Sequence, residues 1–311
     1  MALDVERRWV AWLDSATWRR MSRSPVGSRV LSSAAFRSVD TTRRYVITAV
    51  RQAREPAAFA SVQTFCLFLG TVKSGGSLVG SLLDAHPGVV LSDEADPLRY
   101  VTAGFGREQI FHLLAKTAHR EAMKGRVTAR RLEPYTLAVP GQSQGRVRAP
   151  TVVGDSRAGP TTRRLGDEPA LIERLRVRLR DVEDRYIHVV RNPFDSISAM
   201  VLRSRRPLPN AIDDYGRQSR RVDMLRTRLG EDRLLTVRYE PFVADPSAEL
   251  RRVCAFLGLD ATADYLAACA RIIDPTRRPE RERVSWPDGG KAAVELLIDQ
   301  FPFLEGYAFA R

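Results

Sequence analysis

The chain has 311 residues, a mass of 34.9 kDa and a formal net charge of +13, which suits one large α/β domain with decorations and a surface that attracts anions. Of its 50 basic residues only Lys73, Lys116, Lys124 and Lys291 are lysine, so most of the positive charge reads as an arginine-rich compositional background. Cys66, Cys254 and Cys269 are odd in number and lack C-x-x-C spacing, which argues against a disulfide framework or a zinc site, and with no signal peptide or roughly 20-residue apolar run the expected location is the cytoplasm.

Residues 1–60 read as an N-terminal arm. Val5, Trp9, Trp12, Leu13 and Ala16 recur at helical spacing with Arg7, Arg8, Arg19 and Arg20 on other faces, predicting a first helix. Its apolar stripe could pack on the domain or make peripheral contact with a membrane surface through this basic arm. Residues 22–60 are weakly periodic and are expected to be irregular or partly helical.

From Thr64 onward short apolar runs alternate with amphipathic stretches, the pattern of β-α units. Strands are predicted at Phe65–Leu69, Val89–Leu91, Thr151–Val153, Tyr186–Val190 and Leu234–Tyr239. Helices are predicted between them at Ser77–Ala85, Arg107–Glu121, Pro169–Val182, Phe194–Arg203 and Asp213–Leu229, and after them at Ser247–Leu257, Ala261–Arg271 and Lys291–Phe301. This order predicts an α/β domain over 61–311, with a central, mostly parallel sheet flanked by helices. Two long irregular insertions, 126–150 and 274–290, are candidate binding elements.

The segment from Phe65 to Pro87 runs from a buried strand through a glycine-rich turn into a helix, the order a phosphate site needs. Backbone N–H groups and the positive end of the helix dipole point at an anion there. Set against G-x-x-x-x-G-K-[ST], Gly70, Gly75 and Ser77 fall in place, but Gly76 stands where lysine is required. A triphosphate kinase is therefore disfavoured, since that lysine reaches the β- and γ-phosphates. Lys73, three places earlier, could meet a group bonded to a single phosphate.

The stretch TVKSGGSLVGSLLDAHPGV, Thr71–Val89, resembles the 5′-phosphosulfate-binding loop of sulfotransferases dependent on 3′-phosphoadenosine 5′-phosphosulfate (PAPS). The segment IHVVRNPFDSISAM, beginning at Ile187, resembles that family's 3′-phosphate-binding strand and helix, and VRYEPFVADPSAELRRVCAFLGL the strand and helix that follow. The resemblance spans roughly 64–260. It implies a P-loop-like sulfotransferase fold and PAPS as donor, with 3′-phosphoadenosine 5′-phosphate (PAP) as product and no required metal. It implies cofactor contacts from Thr71, Lys73, Ser74, Gly75, Gly76, Ser77 and Leu78 at one end and Arg191 at the other. The family's 3′-phosphate serine, eight residues after the arginine, is replaced by Ala199, leaving Ser198 as the binding candidate. Gly76 departs too, standing where relatives carry a hydroxyl.

The resemblance further implies Lys73 as the residue that stabilises charge on the bridging oxygen, and Glu94, just beyond the second strand, as the general base. Asp93 and Asp96 are rival bases. His86, beside Pro87 at a helix end, is expected to cap or pack. Asp155 or Arg157 could touch the acceptor or leaving group, and Arg277, Arg278, Arg281 and Arg283 are candidates for closing over the cofactor. His112 and His119 have no third ligand, so no metal site is expected. Two other functions compete: a nucleotide-dependent kinase with a variant P-loop, and a basic nucleic-acid-binding protein. Against the second, the arginine run 174–180 lacks interleaved aromatics, so no nucleic-acid partner is expected. The acceptor, a glycan, lipid-linked or small metabolite hydroxyl, and the oligomeric state are not legible.

Overall fold

The computed structural model of the chain describes residues 34–128, 135–146, 149–274 and 279–310. They divide into two units between Arg51 and Gln52. In the first lies most of helix α1, Ala34–Arg54, with an Arg44–Asp40 ion pair of 2.7 Å across one of its turns. This regular helix stands where irregular or partly helical chain was expected. The predicted helix through Trp9 and Trp12, with its membrane contact, lies outside the described residues.

The second unit is built on a five-stranded sheet, wholly parallel among the described residues, of β1 Thr64–Leu69, β2 Val89–Ser92, β5 Val152–Asp155, β6 Glu183–Val190 and β7 Leu234–Arg238, in the order β2-β5-β1-β6-β7. A separate two-stranded ribbon, β3 Val127–Thr128 and β4 Tyr135–Thr136, lies in the first insertion. All six residues of β1 are buried, as a central parallel strand covered on both faces requires.

The helices are α2 Gly76–Asp84, α3 Pro97–Thr102, α4 Arg107–Met123, α5 Ala158–Asp167, α6 Leu171–Leu179, α7 Pro193–Ser204, α8 Leu208–Leu229, α9 Tyr239–Ala244, α10 Pro246–Phe256, α11 Ala263–Ala270 and α12 Asp288–Gln300, with 3-10 turns at Glu280–Arg283 and Pro302–Leu304. Among the described residues no helix is long and apolar enough to cross a membrane.

Three helices were not anticipated, and α5 shows why. It opens Ala-Gly-Pro, which reads as a loop, yet the segment is helical, and glycine stands at 159 because a Cβ there would lie 2.6 Å from Val72 Cγ1. The last strand was also expected to include Tyr239; the chain turns there into α9 instead.

The strand order positions the site. From β1 the chain departs through α2 toward β2 on one side, and from β6 through α7 and α8 toward β7 on the other. The two loops diverge above the carboxyl ends of neighbouring strands and leave a crevice between them.

Candidate active site

One lip of the crevice is the loop from Gly70 to Ser77. Gly70 N–H donates to Thr162 Oγ1 at 2.8 Å, tying the loop to α5. Lys73 sits at φ 69°, an unusual left-handed conformation for a non-glycine residue that costs about 1–3 kcal/mol and tends to mark functional sites. Gly75 takes φ 100° as the N-cap of α2, and no side chain caps that helix start, which leaves its first N–H groups to meet an anion. A Cβ on Gly75 would lie 2.3 Å from Tyr239 Cδ2. Ser74 is buried, and its Oγ has no hydrogen-bond partner among the described residues.

The other lip begins where β6 ends. Asn192 Oδ1 accepts the Phe194 N–H at 3.0 Å and Pro193 opens α7, so Arg191 stands at the junction of strand and capped helix. Its guanidinium lies 4.8 Å from the Tyr239 ring centroid, within cation–π range. Arg191 Nη2 is paired with Glu280 Oε2, while Asp195 stands off at 4.0 Å. Glu280 also accepts from Arg203 Nη2 at 3.0 Å, and Asp195 accepts both the Arg281 backbone N–H at 3.0 Å and its Nη1 at 2.6 Å. Burial opposes the charge of Arg191, yet the Glu280 carboxylate outweighs it and raises the guanidinium pKa. Arg191 Nε is buried without a partner among the described residues.

Both lips open into one cavity of about 620 Å3, lined by Thr71–Leu78, Asp93, Glu94, Thr136, Leu137, Ser156–Pro160, Arg191, Ala199, Arg203, Tyr239, Val243, Ile272–Asp274 and Glu280. The structure thus brings together Thr71, Lys73, Ser74, Gly75, Gly76, Ser77, Leu78, Glu94 and Arg191. Ser198 is the exception: fully buried, it accepts a hydrogen bond from Trp286 Nε1 at 3.1 Å. One residue is 100° of helix rotation, and it is Ala199 that faces the cavity. Ser198, expected as a cofactor contact, does not line the cavity. Arg281 is committed to Asp195, and Arg277 and Arg278 lie outside the described residues.

Glu94 is exposed on the cavity wall. Asp93 is tied down: its Oδ1 accepts from Ser77 Oγ at 3.3 Å and Ser156 Oγ at 3.0 Å, and burial pushes its pKa up against those bonds. Asp96 pairs with Arg164 at 2.7 Å and does not line the cavity. Asp155, another expected contact, is fully buried beneath it and accepts the Asp96 N–H at 2.8 Å; burial, with Asp93 and Glu121 adding, pushes its pKa up to about 8. Arg157 does reach the cavity. His86 packs as expected: Nδ1 accepts the Gly88 N–H at 3.0 Å, which leaves Nε2 to donate to Asp260 O at 2.8 Å. Tyr239, Arg203 and Glu280 escaped the sequence reading. A tyrosine directly after the last strand was the one available signal.

A strand, a glycine turn opening a helix, and an arginine at the end of the neighbouring strand place the chain in the class of parallel-sheet α/β proteins with a crevice above the carboxyl ends of the strands. The sulfotransferase family profile matches residues 67–264, and the chain belongs to that family. Its fold is similar to the sulfotransferase domain of the Synechococcus PCC 7002 olefin synthase, at 18% identity and a TM-score of 0.50 over 77% of this chain and 94% of that one. It is also similar to sulfotransferase STF9 from Mycobacterium avium, at 14% identity and a TM-score of 0.50 over 93% and 92%. No curated protein sequence matches significantly.

Proposed function

We propose that the protein transfers a sulfuryl group from PAPS to an acceptor hydroxyl. The carrying observation is that the Gly70–Ser77 loop and Arg191 line the same cavity and share one residue, Tyr239, which packs on Gly75 and under the Arg191 guanidinium. The donor's two anionic ends suit this cradle: Ser74 Oγ and Arg191 Nε are buried polar atoms whose bonding capacity is unused among the described residues. Buried polar groups of that kind are normally satisfied.

When bound, PAPS supplies the sulfuryl group and a 5′-phosphate leaving group. Lys73, Ser74, Ser77 and the free end of α2 hold the phosphosulfate end, and Arg191 the 3′-phosphate. Lys73 stabilises the charge that grows on the leaving phosphate, a role for a compact ammonium. Glu94, exposed and unburdened by the bonds that restrain Asp93, takes the proton from the acceptor hydroxyl. Asp93 positions Ser77. The three buried free thiols suit a reducing cytoplasm, where we place the enzyme.

The test is calorimetric titration with PAP without magnesium, beside ATP with magnesium. Tight PAP binding, weakened about 10- to 100-fold in Arg191→Ala, is expected. Magnesium-dependent ATP binding with none for PAP would overturn the proposal.

A further inference from the structure

We infer that Glu280 is a determinant of nucleotide affinity and charge selectivity: its carboxylate is an internal anion that stands where the ligand's 3′-phosphate would pair with Arg191, and the two exchange. The inference rests on the donor reading above and adds a residue which that reading does not use.

Four observations carry it. Glu280 bridges two arginines, Arg191 and Arg203, with one oxygen on each. All three line the cavity together with Ala199 and Tyr239, so this bridge faces the ligand space. Second, the bridge is incomplete as a clamp. Glu280 reaches only Nη2 of Arg191 and leaves Nε buried without a partner among the described residues, whereas a tetrahedral phosphate offers three oxygens to the same guanidinium.

Third, the charge of the described residues favours exchange over coexistence. Among the described residues, the cations converging here are Arg191, Arg203 and Arg281, and the anions are Glu280 and Asp195, a surplus of one positive charge. Adding a doubly charged phosphate while keeping Glu280 leaves a surplus negative charge in a largely buried place. Replacing Glu280 by that phosphate leaves the group neutral. Fourth, the segment bearing Glu280 has a separate fastening: the next residue, Arg281, holds Asp195 through both its backbone N–H and its guanidinium. Glu280 can therefore leave Arg191 without the turn at Glu280–Arg283 coming away.

A ligand bearing one negative charge at that end cannot improve on the carboxylate already present, whereas one bearing two can. Affinity for 3′-phosphorylated nucleotide is set below what Arg191 and Arg203 could deliver alone, which speeds departure of spent PAP.

The experiment measures dissociation constants of PAP and AMP for the wild-type protein, Glu280→Gln and Arg191→Ala. Glu280→Gln keeps the shape and removes the charge. It is expected to tighten PAP about tenfold and to leave AMP, which has no 3′-phosphate, within about twofold. Weaker or unchanged PAP binding in Glu280→Gln, with PAP bound by the wild type in an Arg191-dependent way, would overturn this inference alone. Absence of PAP binding in all variants would overturn it together with the donor reading. A measurement on the wild-type protein guards against a misfolded variant: PAP is compared with its 3′-phosphate monomethyl ester, which carries one charge at that end. At least tenfold preference for PAP is expected, and equal affinity overturns the inference.

Discussion

Replacing Gly75 by alanine tests whether the two lips of the crevice are one mechanical unit. Two costs add. A side chain at φ 100° carries about 1–2 kcal/mol of backbone strain. The new Cβ would also lie 2.3 Å from Tyr239 Cδ2 and 2.8 Å from Cε2, and forced overpacking adds about 1–3 kcal/mol. The ring cannot swing aside freely, because its face supports the Arg191 guanidinium at 4.8 Å. The sum, about 2–5 kcal/mol, corresponds to roughly 4–20 °C in Tm at about 2–4 °C per kcal/mol. A double-mutant cycle with Tyr239→Ala isolates the contact. Tyr239 is half-buried, so its own truncation costs about 1–3 kcal/mol, less than a fully buried aromatic. In the double variant the overpacking vanishes and only the strain stays, so the two effects fall short of additivity by at least about 1 kcal/mol. Urea unfolding of the four proteins supplies the numbers. Additivity within about 0.5 kcal/mol would refute the account of Tyr239 as the strut between loop and anchor.

Glu94→Gln should lower kcat at least about 100-fold with PAP affinity unchanged by calorimetry; preserved turnover removes Glu94 as base. Ser198→Ala should cost about 1–3 kcal/mol in thermal unfolding by orphaning the Trp286 indole N–H, with PAP affinity intact, whereas Ala199→Ser should tighten PAP about fivefold; the reverse pattern would return Ser198 to the cavity. Asp155 and Glu121, pushed up by burial to about 8 and about 7, hold protons in the folded state that the unfolded chain releases near pH 4. Stability therefore falls as pH rises from about 4 to 8, and Asp155→Asn should flatten Tm between pH 6 and 8.5; an unaltered slope would show that Asp155 is ionised throughout.

How far the sequence spoke depended on whether a feature is local. The strand-turn-helix order around Gly70–Ser77 was legible because an apolar strand, glycines and a helix start follow one another directly, and the place of Arg191 at a strand end because Asn-Pro marks the helix after it. Ser198 was misjudged because its orientation is decided by Trp286, whose contact with it lies 88 residues along the chain. The Glu280 pairing with Arg191 bridges 89 residues and was hidden in a loop whose many arginines drew attention from its glutamates. Helix α1 was blurred by its β-branched Thr41, Thr42, Val46, Ile47, Thr48 and Val50, which lower intrinsic propensity. Helix α5 was masked by Gly159, whose reason, the close approach of Val72, exists only in three dimensions.

The crevice sits over a single ladder, Thr64–Leu69 of β1 against Glu183–His188 of β6, with the Gly70–Ser77 loop on one bank and Arg191 on the other. That ladder is a seam, and a molecule long enough to grip both banks acts as a suture across it. Protection of amides from hydrogen exchange by a bridging nucleotide should therefore concentrate along this one join, and two half-ligands, each saturating its own bank, should not reproduce it.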